Sequence, residues 1–355
     1  MAKIDQLFKV MVERGASDLH ISPNNPPMIR MSGDLQPITQ QPFTHEQNQT
    51  LLYEIMSDEE RVYFEENKDL DFAYSVDELG SRFRANIFYE RKGIGGVFRL
   101  IPTKILTAED LGLPPVLTEY FCHLHKGLVL VTGATGSGKS TTLAAMIDYI
   151  NINRSDHILT VEDPIEFVHS SKRGLVNQRE VGKNTRSFAS ALKAALREDP
   201  DVILVGEMRD LETIELAITA AETGHLVFGT LHASSAPKTI DRLIDAFPTD
   251  AQEQIRAMLG DSLKGVVAQQ LLKKKGGGRV GVQEILIGTP AVGNLLREGK
   301  TFQIPSIMQT SRKDGMVTMD QAIEEKLKAG LITGEEAYLK AADKSRFKHL
   351  INQTE

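Results

Sequence analysis

Between an apolar run, GLVLVT, and a helix-like run sits GATGSGKS, Gly133–Ser140, which matches G-x-x-x-x-G-K-[ST] in strand–loop–helix context. Glycines let backbone N–H groups curl around a phosphate, and the helix start adds its positive end. Gly133, Ala134, Thr135, Gly136, Ser137, Gly138, Lys139, Ser140 and Thr141 are therefore expected to cradle the phosphates of ATP. Lys139 is expected to reach the β- and γ-phosphates, and the Ser140 hydroxyl to hold Mg²⁺. The glycines do not form a dinucleotide fingerprint, because no acid follows in a ribose-binding context.

Hydrolysis needs a carboxylate near the metal and another on the attacking water. DVILVGE runs apolar into Glu207, the acid expected at Mg²⁺ in place of the usual aspartate. A second strand-like run ends in VEDPIEF, giving Glu162, Asp163 and Glu166. Pro164 stops that strand, so these acids fall on a loop at the edge where open α/β sheets bind ligands. Glu162 and Glu166 are both candidates for the general base, and spacing alone does not separate them. Charge on the transferred phosphoryl group calls for cations; Arg197 and Arg209 are candidates, as are Arg82, Arg84 and Arg99 nearer the N-terminus. A fourth strand-like run, HLVFGTLH, ends on His232, at the edge expected to carry the P-loop, the acidic loop and Glu207. No other histidine or cysteine lies at metal-ligand spacing, so His232 reads as a γ-phosphate sensor that distinguishes ATP from ADP.

These residues need a sheet to align them. From Lys126 to Thr289 strand-like and helical runs alternate, which predicts a parallel sheet with crossover helices, a RecA-like ATPase domain over 126–289. Residues 1–100 read as a small α+β module: a helix over 2–13, a strand at DLHIS, a turn at Ser32-Gly33-Asp34, one helix over Thr44–Asn67 and strands over 70–102. Residues 101–125 read as a linker. Residues 290–355 read as helical, with helices over Ala291–Glu298, Phe302–Ser311, Met319–Lys328 and Glu335–Ala342. Lys273–Arg279, KKKGGGR, reads as a flexible loop.

Length, 355 residues, fits two domains, and 41% apolar with 25% charged residues fits a globular chain with a sizeable core. A net charge of −7 argues against a general nucleic-acid surface, and no aromatic residues interleave a basic patch. One cysteine, Cys122, excludes internal disulfides and a multi-cysteine zinc site and fits a reducing cytosol. No apolar run approaches the ~20 residues that span a bilayer, so any membrane role is expected to go through a partner.

GATGSGKSTTLAAMIDYIN, ILTVEDPIEF, ALREDPDVILVGEMRD, GHLVFGTLHASSA and the N-terminal ASDLHIS…PPMIRMSGDL together resemble the secretion-superfamily ATPases. Within that superfamily they are similar to the retraction ATPases of type IV pili, over about residues 3–330. The resemblance implies a homo-hexameric ring on the cytoplasmic face of the inner membrane. Each subunit would carry a PAS-like N-terminal domain on a RecA-like domain, with ATP between them. Rotation of the two would drive a polytopic platform protein, power pilin disassembly and so support twitching motility. It further implies Glu166 as the catalytic acid of the EDPIE loop, Arg84 and Arg99, with Arg82 next, as phosphate contacts, and His232 near the γ-phosphate. One departure stands out: the retraction motif AIRNLIRE reads AVGNLLRE here, with Gly293 at the arginine position. A glycine in mid-helix costs roughly 1 kcal/mol against alanine. An accessory retraction paralogue therefore remains a reading beside the main motor. Assembly and type II secretion ATPases typically carry a longer N-terminal region and a four-cysteine insert, which this chain lacks. A nucleic-acid translocase and a non-hydrolysing nucleotide binder are the remaining alternatives.

Overall fold

The computed structural model describes residues 2–31, 33–101 and 104–351. It divides into two compact units: Met1–Lys104 with Pro164–Val168, and Ile105–Asp163 with His169–Glu355.

The smaller unit runs α1 (Asp5–Glu13), β1 (Asp18–Ile21), β2 (Met28–Met31), β3 (Asp34–Pro37), α2 (His45–Tyr53), α3 (Asp58–Asn67), β4 (Asp69–Val76), β5 (Ser81–Glu90) and β6 (Gly93–Ile101). Its strands form an antiparallel sheet in the order β3-β2-β1-β6-β5-β4. In SRFRANIF the alternation sends Phe83, Ala85 and Ile87 into the core and Arg82 and Arg84 to the opposite face. Phe8 of α1 stacks on Phe83 at 4.2 Å and meets Phe98 edge-on at 5.0 Å. The single helix expected over Thr44–Asn67 is two. Ser57 interrupts it by accepting from Glu60 N while Glu60 bonds back to Ser57 N, a capping box that starts a new helix. The turn expected at Ser32 lies partly outside the described residues.

The larger unit runs α4 (Pro115–Glu119), β7 (Gly127–Thr132), α5 (Lys139–Asn153), β8 (His157–Glu162), β9 (Leu175–Glu180), α6 (Phe188–Ala195), β10 (Val202–Val205), α7 (Leu211–Thr223), β11 (Leu226–Leu231), α8 (Ala236–Asp245), α9 (Gln252–Ser262), β12 (Leu263–Lys273) and β13 (Arg279–Ile287). Helices α10 (Pro290–Arg297), α11 (Ile304–Thr310), α12 (Met319–Lys328) and α13 (Gly334–Lys340) follow. Seven strands form one sheet, β13-β12-β7-β11-β10-β8-β9, parallel throughout except for β13 against β12. Strands β7, β10 and β11 are buried along their whole length, as continuous apolar strands covered on both faces should be. The α/β class is as expected: the larger unit is built on a mostly parallel sheet and ends in the helices α10–α13, and the smaller is an α+β unit. The residues read as a linker carry α4, and Leu117, Phe121 and Cys122 are fully buried in the larger core.

Gly293 belongs to a close helix crossing. It is buried on α10, and a Cβ there would come within 2.6 Å of Gly260 O on α9. The reciprocal Cβ on Gly260 would lie 3.0 Å from Gly293 O. Backbone contact between the two helices therefore outweighs the helix propensity that the glycine forfeits.

Candidate nucleotide site

The P-loop leaves β7 at Thr132 and enters α5 at Lys139. Gly133, Gly136 and Gly138 take φ of 148°, 75° and 90°, values open to glycine and strained for other residues. A Cβ on Gly133 would lie 2.4 Å from Gln269 O, so close packing also demands glycine there. Lys139 Nζ donates to Gly133 O at 3.1 Å and Ala134 O at 3.2 Å, which holds the ammonium over the loop. Ser137 Oγ is buried without a hydrogen-bond partner, a polar atom left over inside the cradle. A cavity of about 540 Å³ opens beside the loop, lined by Gly133–Ser137, Ser234 and β12 among others. A second, of about 430 Å³, is lined by Ala134, His232, Ala233, Ser234, Lys238 and Arg242.

Because β7, β11, β10 and β8 are parallel neighbours, their C-terminal ends share one edge. There Glu207 Oε1 meets Arg209 Nε at 2.6 Å and His232 Nε2 at 3.1 Å. Burial pushes the Glu207 pKa up. The Arg209 hydrogen bond and charge, with His232 and Lys139, outweigh it and hold the carboxyl below its usual range. Glu207 is thus kept as an anion within electrostatic reach of the P-loop lysine. At this acid the arginine is Arg209, not Arg197. Glu162 closes β8 beside Gly206, but its Oε1 already accepts from Thr160 Oγ1 at 2.6 Å and Gln178 Nε2 at 3.2 Å. Among the described residues no group of three or more His, Cys, Asp or Glu side chains could hold a metal by itself. A hydroxyl in the first turn of α5, Ser140, and an anionic Glu207 suit a cation that takes its other ligands from phosphate oxygens and water.

Asp163 follows Glu162 at the end of β8, is exposed and acts electrostatically on Arg209, whereas Glu166, also exposed, falls in Pro164–Val168, grouped with the smaller unit. Within that unit's sheet, Arg84 of β5 stands opposite Arg99 of β6, with Arg82 two residues along the same face. Arg99 Nε donates to Asp18 Oδ1 at 2.8 Å, and Arg84 Nε lies 3.8 Å from Asp71 Oδ1. The Asp18 carboxyl is buried, yet Ser17 and Arg99 hold its pKa below the ordinary value.

Sequence reading missed several supports. Gln269 of β12 latches the P-loop to the sheet: its Nε2 donates to Ser137 O at 2.8 Å, and its Oε1 accepts from Thr142 Oγ1 at 2.8 Å. Asn151 and Asp148 of α5 fasten the chain after the acidic loop. Asn151 Nδ2 donates to Ser170 O at 2.9 Å, Asn151 Oδ1 accepts from Lys172 N at 3.0 Å, and Asp148 Oδ1 accepts from Lys172 Nζ at 2.6 Å. Arg242 of α8 donates to His232 O at 2.8 Å and fixes the histidine's backbone. A lone glutamine or asparagine has no motif around it; only strand order would have signalled them.

Residues 1–277 match the family model described as Type II/IV secretion system protein. The chain is 55% identical over 338 residues to the type IV pilus retraction ATPase PilT of Pseudomonas aeruginosa, covering 95% of this chain and 98% of that one. It is 52% identical over 316 residues to a twitching motility protein of Neisseria gonorrhoeae, covering 89% and 84%. It also superposes on the crystal structure of the pilus retraction motor PilT with bound ADP, with a TM-score of 0.91 and 50% identity over 98% of this chain and 100% of that one.

Proposed function

The chain belongs to the type II/IV secretion system protein family, and from that premise we propose that it is the ATPase motor that retracts type IV pili in twitching motility. The observation that carries the retraction reading is the 55% identity to PilT over 95% of the chain, and the pairing of Glu207 with His232 at the sheet edge that bears a P-loop supports the ATPase chemistry. Gly133–Thr141 hold the triphosphate, and Lys139 turns from the loop carbonyls to the phosphates. Ser140 and Glu207 would hold Mg²⁺, which would supply charge neutralisation to the phosphates. Glu166 orients and deprotonates the attacking water. The two hydrogen bonds that occupy Glu162 Oε1 favour Glu166 for that role and leave Glu162 to shape the edge.

Arg84, Arg99 and Arg82 supply positive charge to the phosphoryl group from the small unit's sheet. His232 reports whether a γ-phosphate is present. In this reading six subunits form a ring at the cytoplasmic face of the inner membrane, and rotation between the two domains moves a platform protein. No described helix is long and apolar enough to cross a membrane, which is consistent with recruitment through such a partner. Gly293 in the AVGNLLRE segment favours one second reading, an accessory retraction ATPase that works beside the main motor.

Purified Lys139→Ala and Glu207→Ala variants test the chemistry. Each is expected to lose more than about 100-fold of phosphate release, in line with the loss of one electrostatic element of a phosphoryl-transfer site. Near-normal turnover in either variant would refute this assignment.

A further inference from the structure

Glu284, on β13, is 8% exposed and has no part in the scheme above. Its Oε1 accepts from Ala236 N at 2.7 Å, and Ala236 is the first residue of α8. Its Oε2 accepts from Met319 N at 3.2 Å, and Met319 is the first residue of α12. The opening N–H groups of a helix have no partner within the helix. Here one carboxylate supplies a partner to two helices. Ser235 makes no side-chain cap on α8, and the Thr318 hydroxyl is engaged by Gln321 N. The positive ends of both helices converge on the same group. Burial pushes the Glu284 pKa up, and the two N–H groups oppose that shift.

Both helices lead somewhere relevant. Helix α8 starts four residues after His232, and Arg242 near its end holds His232 O at 2.8 Å, so loop and helix are tied at both ends. Helix α12 opens the last part of the chain and packs Met319 and Ile323 into a separate small core with Val282 of β13. The approach to α12 is itself pinned to β13. Ile285 N donates to Val317 O at 2.7 Å and Val317 N to Ile285 O at 3.0 Å, one residue from Glu284.

We propose that Glu284 is a positioning residue that couples the His232 loop to the C-terminal helices through one carboxylate shared by the first turns of α8 and α12. A shift of α8 on loss of the γ-phosphate changes the bond to Ala236 and is passed to Met319 through the second oxygen. The proposal rests on reading His232 as the reporter of nucleotide state.

Amide hydrogen exchange on the full chain, with ADP and with a non-hydrolysable ATP analogue, tests it. In the wild type, segments 236–240 and 317–323 should both change protection by at least about threefold between the two nucleotides. In Glu284→Gln, which keeps the shape but offers a single carbonyl acceptor, the response at 236–240 should persist and that at 317–323 should vanish. Affinity for the ATP analogue should stay within about twofold. An unchanged response at 317–323 in Glu284→Gln overturns the coupling. So does its absence in the wild type, a measurement that needs no variant to fold. His232→Ala separates the two ideas: if it keeps the response at 236–240, the sensor reading fails, whereas Glu284→Gln alone judges the relay.

Discussion

At Glu207 two basic side chains converge on one carboxylate oxygen, Arg209 at 2.6 Å and His232 at 3.1 Å. A histidine so held does not act by packing alone. His232→Ala is expected to bind nucleotide with little change while turnover falls at least ~10-fold, the scale of a lost polar contact to the transition state. Equal loss of binding and turnover, read from titration beside steady-state kinetics, would return His232 to a structural role.

A second histidine should leave its mark on stability. His169 is buried beside Asp148, and burial lowers its pKa from 6.5 to about 4. A base whose pKa is depressed by folding contributes stability above its unfolded pKa, and loses it as pH falls from about 6.5 toward 4. At pH 5 this amounts to roughly 2 kcal/mol less than at pH 7.5, from 1.36 kcal/mol per pK unit. Urea melts at both pH values should therefore show the wild type losing about that much more than His169→Asn. Equal losses would mean that His169 is not held neutral. The P-loop, Glu207 and His232 were legible in the sequence because each closes a short apolar run. Gln269 was not, because its partners Ser137 and Thr142 are more than 120 residues away along the chain.

At the scale of elements, the buried strands of the larger sheet were readable as unbroken apolar runs, whereas β9 (LVNQRE) is polar, half exposed and at the edge, and gave no such signal. The division of α2 from α3 was written in Ser57 and Glu60 but masked by continuous helical periodicity. Gly293 reverses its sequence meaning: what looks like a weak point in α10 is where the backbone of α9 packs directly against it. Gly293→Ala should therefore destabilise the chain by about 1–3 kcal/mol, the cost of overpacking, although alanine is the better helix former by about 1 kcal/mol. Thermal unfolding decides this, since an unchanged or raised Tm would mean that α9 and α10 can part without cost.

For the whole molecule, the net charge is −7, and no described helix is long and apolar enough to cross a membrane. Composition made the globular class of the chain legible, whereas the direction of pilus movement is not a property of any local motif. The most direct measurement is deletion with complementation in the native host, scoring surface pili and twitching together. A deletion strain is expected to keep its pili but not to twitch, with motility restored by the wild-type chain and not by Glu207→Ala. A deletion strain without surface pili, or one restored by Glu207→Ala, would contradict it.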